Sequence, residues 1–489
     1  MELESITKEE MARLNLPIIQ GGMGAGVSNW RLARAVSMTG QLGVVSGTGS
    51  PDILLRRLQR GDKEMVSAIE RLNVPNEEFA KELIGDYFVK GGIPPGQDFR
   101  QHTKPSLYMS PDRVLTLRPR VNGLSFLEEL AILSVFVEVS LAKEGHDNPV
   151  GVNFLQKIEW PLLPSVYGAM LAGVDALLVG AGFPREIPGI VTNFMNNEPS
   201  SISISVADNK GGTGMYQLQF TPPSKYAAPS KRPAFGAIVA TEIGVKAVSK
   251  ADFFVIESTK GGGHTVPPRN PVVDASGDLL FGPDDDLNLE RLYGILERRG
   301  DKAQPFWLAG AYASRLKEAQ EKGAVGVQVG TAFAYCHESG MDPQRRRENI
   351  DAIMNGANVI TMERLSSTGF PFKALVVGDS IVNPDVLEAR TRVCNVSYLL
   401  SAYEKPNRRG VDFRCPAEPV EIYLRKGGRI EDTIGRGCLC DALMKKIGLG
   451  SPGEPTVDTI GKDVTPVIEL VQRFGEYHAK DVVDFILNS

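Results

Sequence analysis

Between residue 16 and about residue 333, short apolar runs typical of β-strands alternate with segments of helical periodicity. This alternation is typical of βα units, whose strands pair into a parallel sheet. The eight strand-like runs are 17–20, 43–46, 150–155, 175–180, 235–240, 252–257, 305–309 and 325–329. Eight such units predict an α/β fold whose sheet closes into a (β/α)8 TIM barrel. An open, doubly wound sheet is the alternative, because periodicity alone does not show closure.

Two insertions and a C-terminal extension depart from this repeat. Residues 48–149 are far longer than a βα loop, so we expect extra helices there, for example over 124–143. Residues 201–231 alternate apolar and polar side chains around Lys210-Gly-Gly-Thr-Gly214, which predicts an inserted β-hairpin. The barrel is thus expected to occupy residues 1–390, insertions included. Residues 391–489 are expected to form a mostly helical extension, with helices near 393–402, 421–425, 439–447 and 465–488.

Composition excludes several classes of protein. With 54 Lys and Arg against 59 Asp and Glu, the formal net charge is −5, which leaves no basic excess to neutralise nucleic-acid phosphates. No apolar run reaches the length of a membrane span, and the first residues lack the basic-then-apolar pattern of a signal peptide. The 5 cysteines are odd in number and sparse, which suits a reducing compartment. We therefore expect a cytoplasmic enzyme with neither a nucleic-acid nor a membrane partner.

The segment most indicative of a functional site is Ala251-Asp-Phe-Phe-Val-Ile-Glu-Ser-Thr-Lys-Gly-Gly-Gly-His-Thr265. A short apolar strand opens there into three glycines, which let the backbone approach a ligand closely. The histidine that follows is the side chain whose ordinary pKa lies nearest neutrality. We infer that His264 is a catalytic residue, either exchanging a proton or orienting the substrate by a hydrogen bond. A structural histidine that stabilises a loop is the alternative.

Two earlier strands also end in candidate binding residues. Leu16-Pro-Ile-Ile-Gln-Gly-Gly-Met-Gly-Ala-Gly26 places a glycine-rich loop after the first strand, where a planar ring could lie against the backbone. Met23 would be a polarisable contact for that ring. Gly151-Val-Asn153 places an amide at the carboxyl end of the third strand, which in a barrel is the active-site face. A tight turn and an Asn that satisfies a local turn are the respective alternatives.

The last two strands of the repeat have similar ends. Pro305-Phe-Trp-Leu-Ala-Gly-Ala311 and Val325-Gly-Val-Gln-Val-Gly-Thr331 are consecutive strand–glycine units. Barrels often bind phosphate at this place through loop N–H groups and a short helix. Each glycine could instead serve only to turn the chain, but two consecutive units favour phosphate binding.

No metal site is expected from the cysteines of the extension. Cys438-Leu-Cys440 lacks the two-residue gap of a zinc knuckle, and Cys415 supplies no second pair. We interpret these residues as buried or reduced thiols.

As an ordered set, these motifs resemble the nitronate monooxygenase (2-nitropropane dioxygenase) family of FMN-dependent barrels. The matching segments are Pro17-Ile-Ile-Gln-Gly-Gly-Met-Gly24, Gly151-Val-Asn153, Gly261-Gly-Gly-His264, Ala309-Gly310, Gln328-Val-Gly-Thr331 and Ser367-Thr-Gly-Phe-Pro371. The resemblance implies FMN as cofactor. It implies that Met23 and Gly24 touch the isoalloxazine ring, that Asn153 and Glu257 lie beside the ring, and that the last two loops hold the phosphate. The full set of implied cofactor-binding residues is Gly22, Met23, Gly24, Asn153, Glu257, Gly262, Gly263, Ala309, Gly310, Ala311, Gln328, Val329, Gly330 and Thr331.

The sequence also departs from that family. Members that oxidise nitronates carry a base histidine after the fifth strand, where this chain has Ile238-Val-Ala-Thr-Glu242. The family's usual Gln at the end of the sixth strand is Glu257 here, and Lys260 replaces an acidic residue. Both changes alter the charge beside the expected flavin. Gly-Gly-His-Thr is also similar to a motif of FMN-dependent and trans-acting enoyl reductases.

The resemblance therefore implies an FMN-dependent oxidoreductase that acts on a small molecule, nominally an alkyl nitronate, with O2 as co-substrate. An NAD(P)H-dependent enoyl reductase of the same fold is the first alternative. A barrel lyase or isomerase that binds a phosphorylated substrate is the second, and a flavin-binding protein whose extension binds a partner is the third. A homodimer is expected as a possible assembly.

Overall fold

The computed structural model describes residues 6–119, 124–208, 211–300, 303–406 and 410–489. The N-terminal part contains α1 (Lys8–Leu14), β1 (Ile18–Gln20), α2 (Trp30–Met38), β2 (Gly43–Ser46), α3 (Ser50–Gln59), α4 (Lys63–Arg71), α5 (Glu77–Tyr87), β3 (Leu107–Met109), β4 (Val114–Leu117) and α6 (Phe126–Lys143). The middle part contains β5 (Val150–Leu155), α7 (Leu162–Leu171), β6 (Ala176–Gly180), α8 (Ile187–Met195), β7 (Ser200–Ala207), β8 (Thr213–Phe220), β9 (Ala234–Val239), α9 (Glu242–Ala247), β10 (Phe253–Glu257), β11 (Gly263–His264), β12 (Val272–Val273), β13 (Leu279–Leu280), α10 (Leu289–Glu297), β14 (Phe306–Ala309), α11 (Leu316–Glu321), β15 (Gly326–Val329) and α12 (Thr331–Ala334).

The C-terminal part follows the last strand of the βα repeat. It contains α13 (Pro343–Met354), β16 (Val359–Met362), β17 (Phe372–Leu375), α14 (Pro384–Ala389), β18 (Ser401–Glu404), β19 (Val411–Arg414), α15 (Val420–Arg425), α16 (Ile430–Thr433), α17 (Leu439–Lys446), α18 (Thr465–Phe474) and α19 (Ala479–Leu487). Among the described residues, no helix is long and apolar enough to cross a membrane.

The eight predicted strands form one parallel sheet, in the order β1-β15-β14-β10-β9-β6-β5-β2. A parallel bridge between Ile19 and Leu42 joins the first strand to the segment that leads into β2, so the sheet closes. The predicted (β/α)8 TIM barrel is therefore confirmed, and the open sheet is excluded. The strands are apolar on both faces because one face fills the barrel and the other packs against helices. Inside the barrel, the rings of Phe253 and Trp307 are in edge contact with centroids 5.2 Å apart.

Both insertions contain the predicted elements. The helix expected over 124–143 is α6, which begins with a capping box between Ser125 and Glu128 and is buried along nearly its whole length. The expected hairpin is β7 and β8, which pair antiparallel. Lys210, in its predicted turn, lies outside the described residues. The sequence did not indicate that this hairpin belongs to a second sheet of six strands, in the order β19-β18-β7-β8-β4-β3.

The extension differs from expectation at its start. The helix predicted over 393–402 is wrong, because residues 401–404 form β18, which pairs with β19 and also extends the edge of β7. Pairing with a distant strand overrides the local helical preference. The expected segments near 421–425 and 439–447 are helices, and the segment 465–488 is divided into α18 and α19 after Gly475, whose φ is 72°.

Candidate active site

A cavity of about 470 Å³ lies at the carboxyl ends of the barrel strands. This is the face on which barrel enzymes place their sites, and the volume is within the roughly 300–1,000 Å³ of small-molecule pockets. Every site residue predicted from the sequence lines the cavity: Gly22, Met23, Gly24, Asn153, Glu257, Gly262, Gly263, His264, Ala309, Gly310, Ala311, Gln328, Val329, Gly330 and Thr331. The structure therefore brings the predicted residues together in one cavity.

The glycine-rich loop after β1 packs closely against β5. A Cβ atom at Gly22 would collide with the Cβ of Asn153, so only glycine fits there. The Asn153 side chain donates from Nδ2 to the carbonyl of Leu178, 3.1 Å away. Ser28 stabilises the loop, because its Oγ accepts a hydrogen bond from the N–H of Met23 at 2.8 Å. The loop thus presents its backbone and the Met23 side chain to the cavity.

The loops after β14 and β15 expose backbone donors. Gly310 and Ala311 have positive φ values of 83° and 64°, and a Cβ at Gly310 would collide with the hydroxyl of Ser258. Within the described residues, the N–H groups of Gly310, Ala311 and Gly330 have no backbone or side-chain acceptor. The buried Oε1 of Gln328 also has no partner there. Successive free N–H groups of this kind form a site for an anion.

A charged cluster lies on the wall formed by β5, β10 and β17. Lys157 and Glu257 line the cavity, and Lys373 is fully buried. Burial raises the pKa of Glu257 to about 7, although both lysines oppose this effect. Burial also lowers the pKa of Lys157 to about 7 and that of Lys373 to about 8, and Glu257 opposes both shifts. Neither lysine Nζ has a hydrogen-bond acceptor within the described part of the chain.

The charge of each of these groups influences the pKa of its neighbours, so the charge of the wall depends on pH. At pH 7 Lys373 is mostly protonated, whereas Lys157 and Glu257 are each about half ionised, so the wall carries a net positive charge there and a larger one at lower pH. The wall becomes negative only when the pH rises above the pKa values of both lysines.

His264 forms part of β11, which pairs antiparallel with β17. Its Nε2 is 2.7 Å from the hydroxyl of Ser366, and its ring is in edge contact with Phe372 at 4.9 Å. Burial, with the nearby Lys157 charge, holds the pKa of His264 well below 6.5. The imidazole is therefore neutral at physiological pH. This state favours the hydrogen-bonding role over proton exchange for His264.

The segment after β9 supplies no titratable group to the cavity. Val239, Ala240 and Thr241 line it, and Thr241 caps α9 by accepting from the N–H of Gly244. Glu242, the next residue, does not line the cavity and lies 3.9 Å from Arg291. A base at this position is therefore missing from the structure as well as from the sequence.

The extension forms one wall of the cavity, which the sequence did not indicate. Its lining residues come from the segments 396–399, 440–446 and 459–466. The N–H of Gly461 donates to the Thr331 hydroxyl at 3.0 Å, and a Cβ at Gly262 would lie 2.7 Å from the carbonyl carbon of Ile460. Lys446 donates to the carbonyl of Thr459 at 3.0 Å, and burial lowers its pKa to about 8. No local pattern in these segments marks them as part of a barrel site.

A scan against models of protein families found no match, and no curated protein matched the chain significantly. Solved structures align over most of the chain. FabK from Thermotoga maritima is 15% identical, with 99% of this chain and 96% of that chain covered and a TM-score of 0.48. Nitroalkane oxidase from Streptomyces ansochromogenes is 14% identical, with 98% and 97% covered and a TM-score of 0.43.

A third solved structure is the enoyl reductase domain of MlnA from the macrolactin biosynthesis cluster of Bacillus amyloliquefaciens. It is 10% identical, with 79% of this chain and 70% of that chain covered and a TM-score of 0.38. Because all three TM-scores are below 0.5, these similarities assign the chain neither to a family nor to a reaction.

Proposed function

We propose that this protein is an FMN-dependent oxidoreductase that oxidises a small anionic substrate, nominally an alkyl nitronate, with O2 as the electron acceptor. The observation that carries the proposal is the composition of one cavity. It combines free backbone N–H groups in its last two loops with a wall that is positively charged at neutral pH. The first feature suits a phosphate, and the second suits a substrate anion.

The residues present fit FMN. The N–H groups of Gly310, Ala311 and Gly330 would bind its phosphate, and the unpartnered Oε1 of Gln328 can accept a hydrogen bond from its ring. The loop around Met23 would support the flat face of the ring. When bound, FMN would supply two-electron redox chemistry.

The charged wall would bind and orient the substrate. Lys157 and Lys373 attract an anion, and Glu257 reduces that attraction as it ionises near pH 7. With no titratable group after β9, the site has no base there to deprotonate a neutral nitroalkane. A substrate that already carries its negative charge needs no such base. Neutral His264 would then donate or accept a hydrogen bond that orients the substrate.

A specific observation favours a second candidate, an NAD(P)H-dependent enoyl reductase. Reduction of a carbon–carbon double bond requires a proton as well as a hydride. Glu257 lines the cavity with a pKa of about 7, so a proton is available there at neutral pH.

The first experiment is the visible absorption spectrum of the purified protein, followed by anaerobic additions. Yellow protein that bleaches with propyl-2-nitronate supports the main proposal. Yellow protein that ignores nitronate and bleaches with NADPH supports the enoyl reductase. Colourless protein that binds no added FMN refutes both. That result would favour a barrel lyase or isomerase that uses the same loops for a phosphorylated substrate.

A further inference from the structure

Of the residues that the structure describes, three lysines line the candidate active-site cavity: Lys157, Lys260 and Lys446. Lys157 belongs to the charged wall, and Lys260 is exposed in the glycine-rich loop after β10. Lys446 differs from both, because it ends α17 in the extension and is only 1% exposed. Burial removes the hydration of an ammonium group, which is costly unless protein or ligand groups replace the lost water.

The protein groups around Lys446 replace that hydration only in part. Its Nζ donates to the carbonyl of Thr459 at 3.0 Å and to the hydroxyl of the same residue at 3.3 Å. An ammonium group has three N–H donors, and Lys446 makes no other hydrogen bond within the described ranges. Asp458 interacts with it electrostatically. That carboxylate already pairs with Arg345 and accepts a hydrogen bond from Asn349 at 2.7 Å. At least one N–H donor of Lys446 is therefore left for a ligand.

The segment that binds Lys446 also contacts the last loop of the barrel. Thr459, which accepts from Lys446, lies two residues before Gly461. The N–H of Gly461 donates to the hydroxyl of Thr331 at 3.0 Å. Because two residues span at most about 7 Å, this segment places the Lys446 ammonium beside the part of the cavity formed by the loop after β15. That is the part proposed above for the FMN phosphate.

We propose that Lys446 binds the phosphate of FMN and makes the site selective for this phosphorylated flavin over riboflavin. The inference rests on the proposed function, since it takes FMN as the cofactor. A lysine ammonium is a compact positive charge, and its hydrogen bonds to phosphate are stronger than those between neutral groups. The backbone N–H groups of the last two loops would donate to the same phosphate. The barrel and the extension would therefore complete one binding site together.

The charge of Lys446 suits this role at neutral pH. Burial lowers its pKa to about 8, so the ammonium form still predominates at pH 7. A phosphate dianion beside it would raise that pKa, because an opposite charge favours the charged form. Asp463 lines the same cavity and would oppose the binding of an anion. A neighbouring cation is therefore needed to offset that carboxylate.

The test is a titration of flavin-depleted protein with FMN and with riboflavin, followed by the quenching of flavin fluorescence. Riboflavin lacks only the phosphate, so the ratio of the two Kd values isolates the contribution of that group. Lys446→Met removes the charge and keeps an unbranched side chain. It should raise the Kd for FMN roughly 10- to 100-fold and change the Kd for riboflavin less than about twofold. Lys445→Met is the matched control, because Lys445 is the exposed neighbour on the same helix, and it should change neither Kd.

The outcomes separate this inference from the proposed function. Equal losses of FMN and riboflavin binding in Lys446→Met would show a merely structural role and would overturn the inference alone. Unchanged FMN binding in that variant would also overturn it. Wild-type protein that binds neither flavin would overturn the proposed function and the inference with it.

A crystal structure of the wild-type protein with FMN keeps the test decisive even if Lys446→Met does not fold. A distance of about 2.7–2.9 Å between Lys446 Nζ and a phosphate oxygen supports the proposal. A phosphate whose oxygens lie beyond hydrogen-bond distance of Lys446 refutes it.

Discussion

A buried ion pair between Arg56 and Asp441 joins the C-terminal extension to α3. Arg56 Nη1 lies 2.6 Å from Asp441 Oδ1, and the two side chains are 3% and 1% exposed. Arg56 is on α3, beside the barrel, and Asp441 is on α17, which lines the candidate active site. The same carboxylate oxygen accepts from the N–H of Ser451 at 3.1 Å. Asp441→Asn keeps the shape of the side chain and removes its charge.

The expected loss of stability follows from the charge that remains. In the variant, Arg56 stays buried with the carbonyl of Leu449 at 2.6 Å and the Phe99 ring at 4.8 Å, but without its ion-pair partner. Breaking a buried pair in this way costs about 3–5 kcal/mol. A domain of 150–250 residues loses roughly 2–4 °C in Tm per kcal/mol, and a larger protein loses less. We therefore expect Tm to fall by roughly 3–10 °C.

The assay is thermal unfolding of wild type and variant side by side, with and without added FMN. Asp484→Asn is the matched control, because Asp484 pairs with Lys480 at 3.3 Å while 54% exposed. Removal of that exposed pair should cost less than about 1 kcal/mol. If Asp441→Asn shifts Tm no more than Asp484→Asn does, the buried pair does not hold the extension on the barrel. Replacing Arg56 and Asp441 together by apolar residues should recover part of the loss.

Three further predictions concern the site itself. Because the pKa of Glu257 is raised to about 7, kcat/KM for an anionic substrate should be highest below pH 7 and should fall as Glu257 ionises. Glu257→Gln should weaken that fall. Identical pH profiles of wild type and variant would count against this role of Glu257. His264→Ala should lower kcat roughly 10- to 100-fold. The shape of the pH profile between pH 6 and 8 should not change, because the imidazole is neutral there. Loss of an ionisation from the profile in that range would show that His264 exchanges protons. Gly310→Ala should abolish retention of FMN during purification, because a Cβ at this positive φ would collide with Ser258 and displace the loop. An unchanged flavin content would mean that the FMN phosphate binds elsewhere.

The predictions that succeeded depend on short-range patterns. All eight barrel strands were identified from apolar runs that end in glycine or polar residues, and their order in the sheet follows from the regular βα repeat. Residues as far apart as Met23, His264 and Gly330 could be assigned to one cavity, because the carboxyl ends of parallel strands meet on one face of a barrel. This property of parallel barrels allows residues at the ends of separate strands to be assigned to one site from the sequence.

The features that the sequence did not reveal depend on contacts between distant segments. Residues 393–402 have a local pattern compatible with a helix, but β18 forms because β7 offers a free edge about 200 residues earlier in the chain. The charge of the cavity wall could not be predicted from the sequence either. The pKa values of Glu257 and Lys373 depend on burial, which no local pattern encodes.

The amino-acid sequence by itself determined the barrel, the face that carries the cavity and part of its barrel-side lining, although it did not indicate Lys157. Each of these follows from periodicity within a few tens of residues and from the handedness of βα units. Only the tertiary structure decided that the extension forms a wall of the cavity and that a second sheet joins both insertions to it. These contacts join segments that are far apart along the chain. Distance along the chain does not determine distance in space, so only the packing of the folded chain determines these contacts.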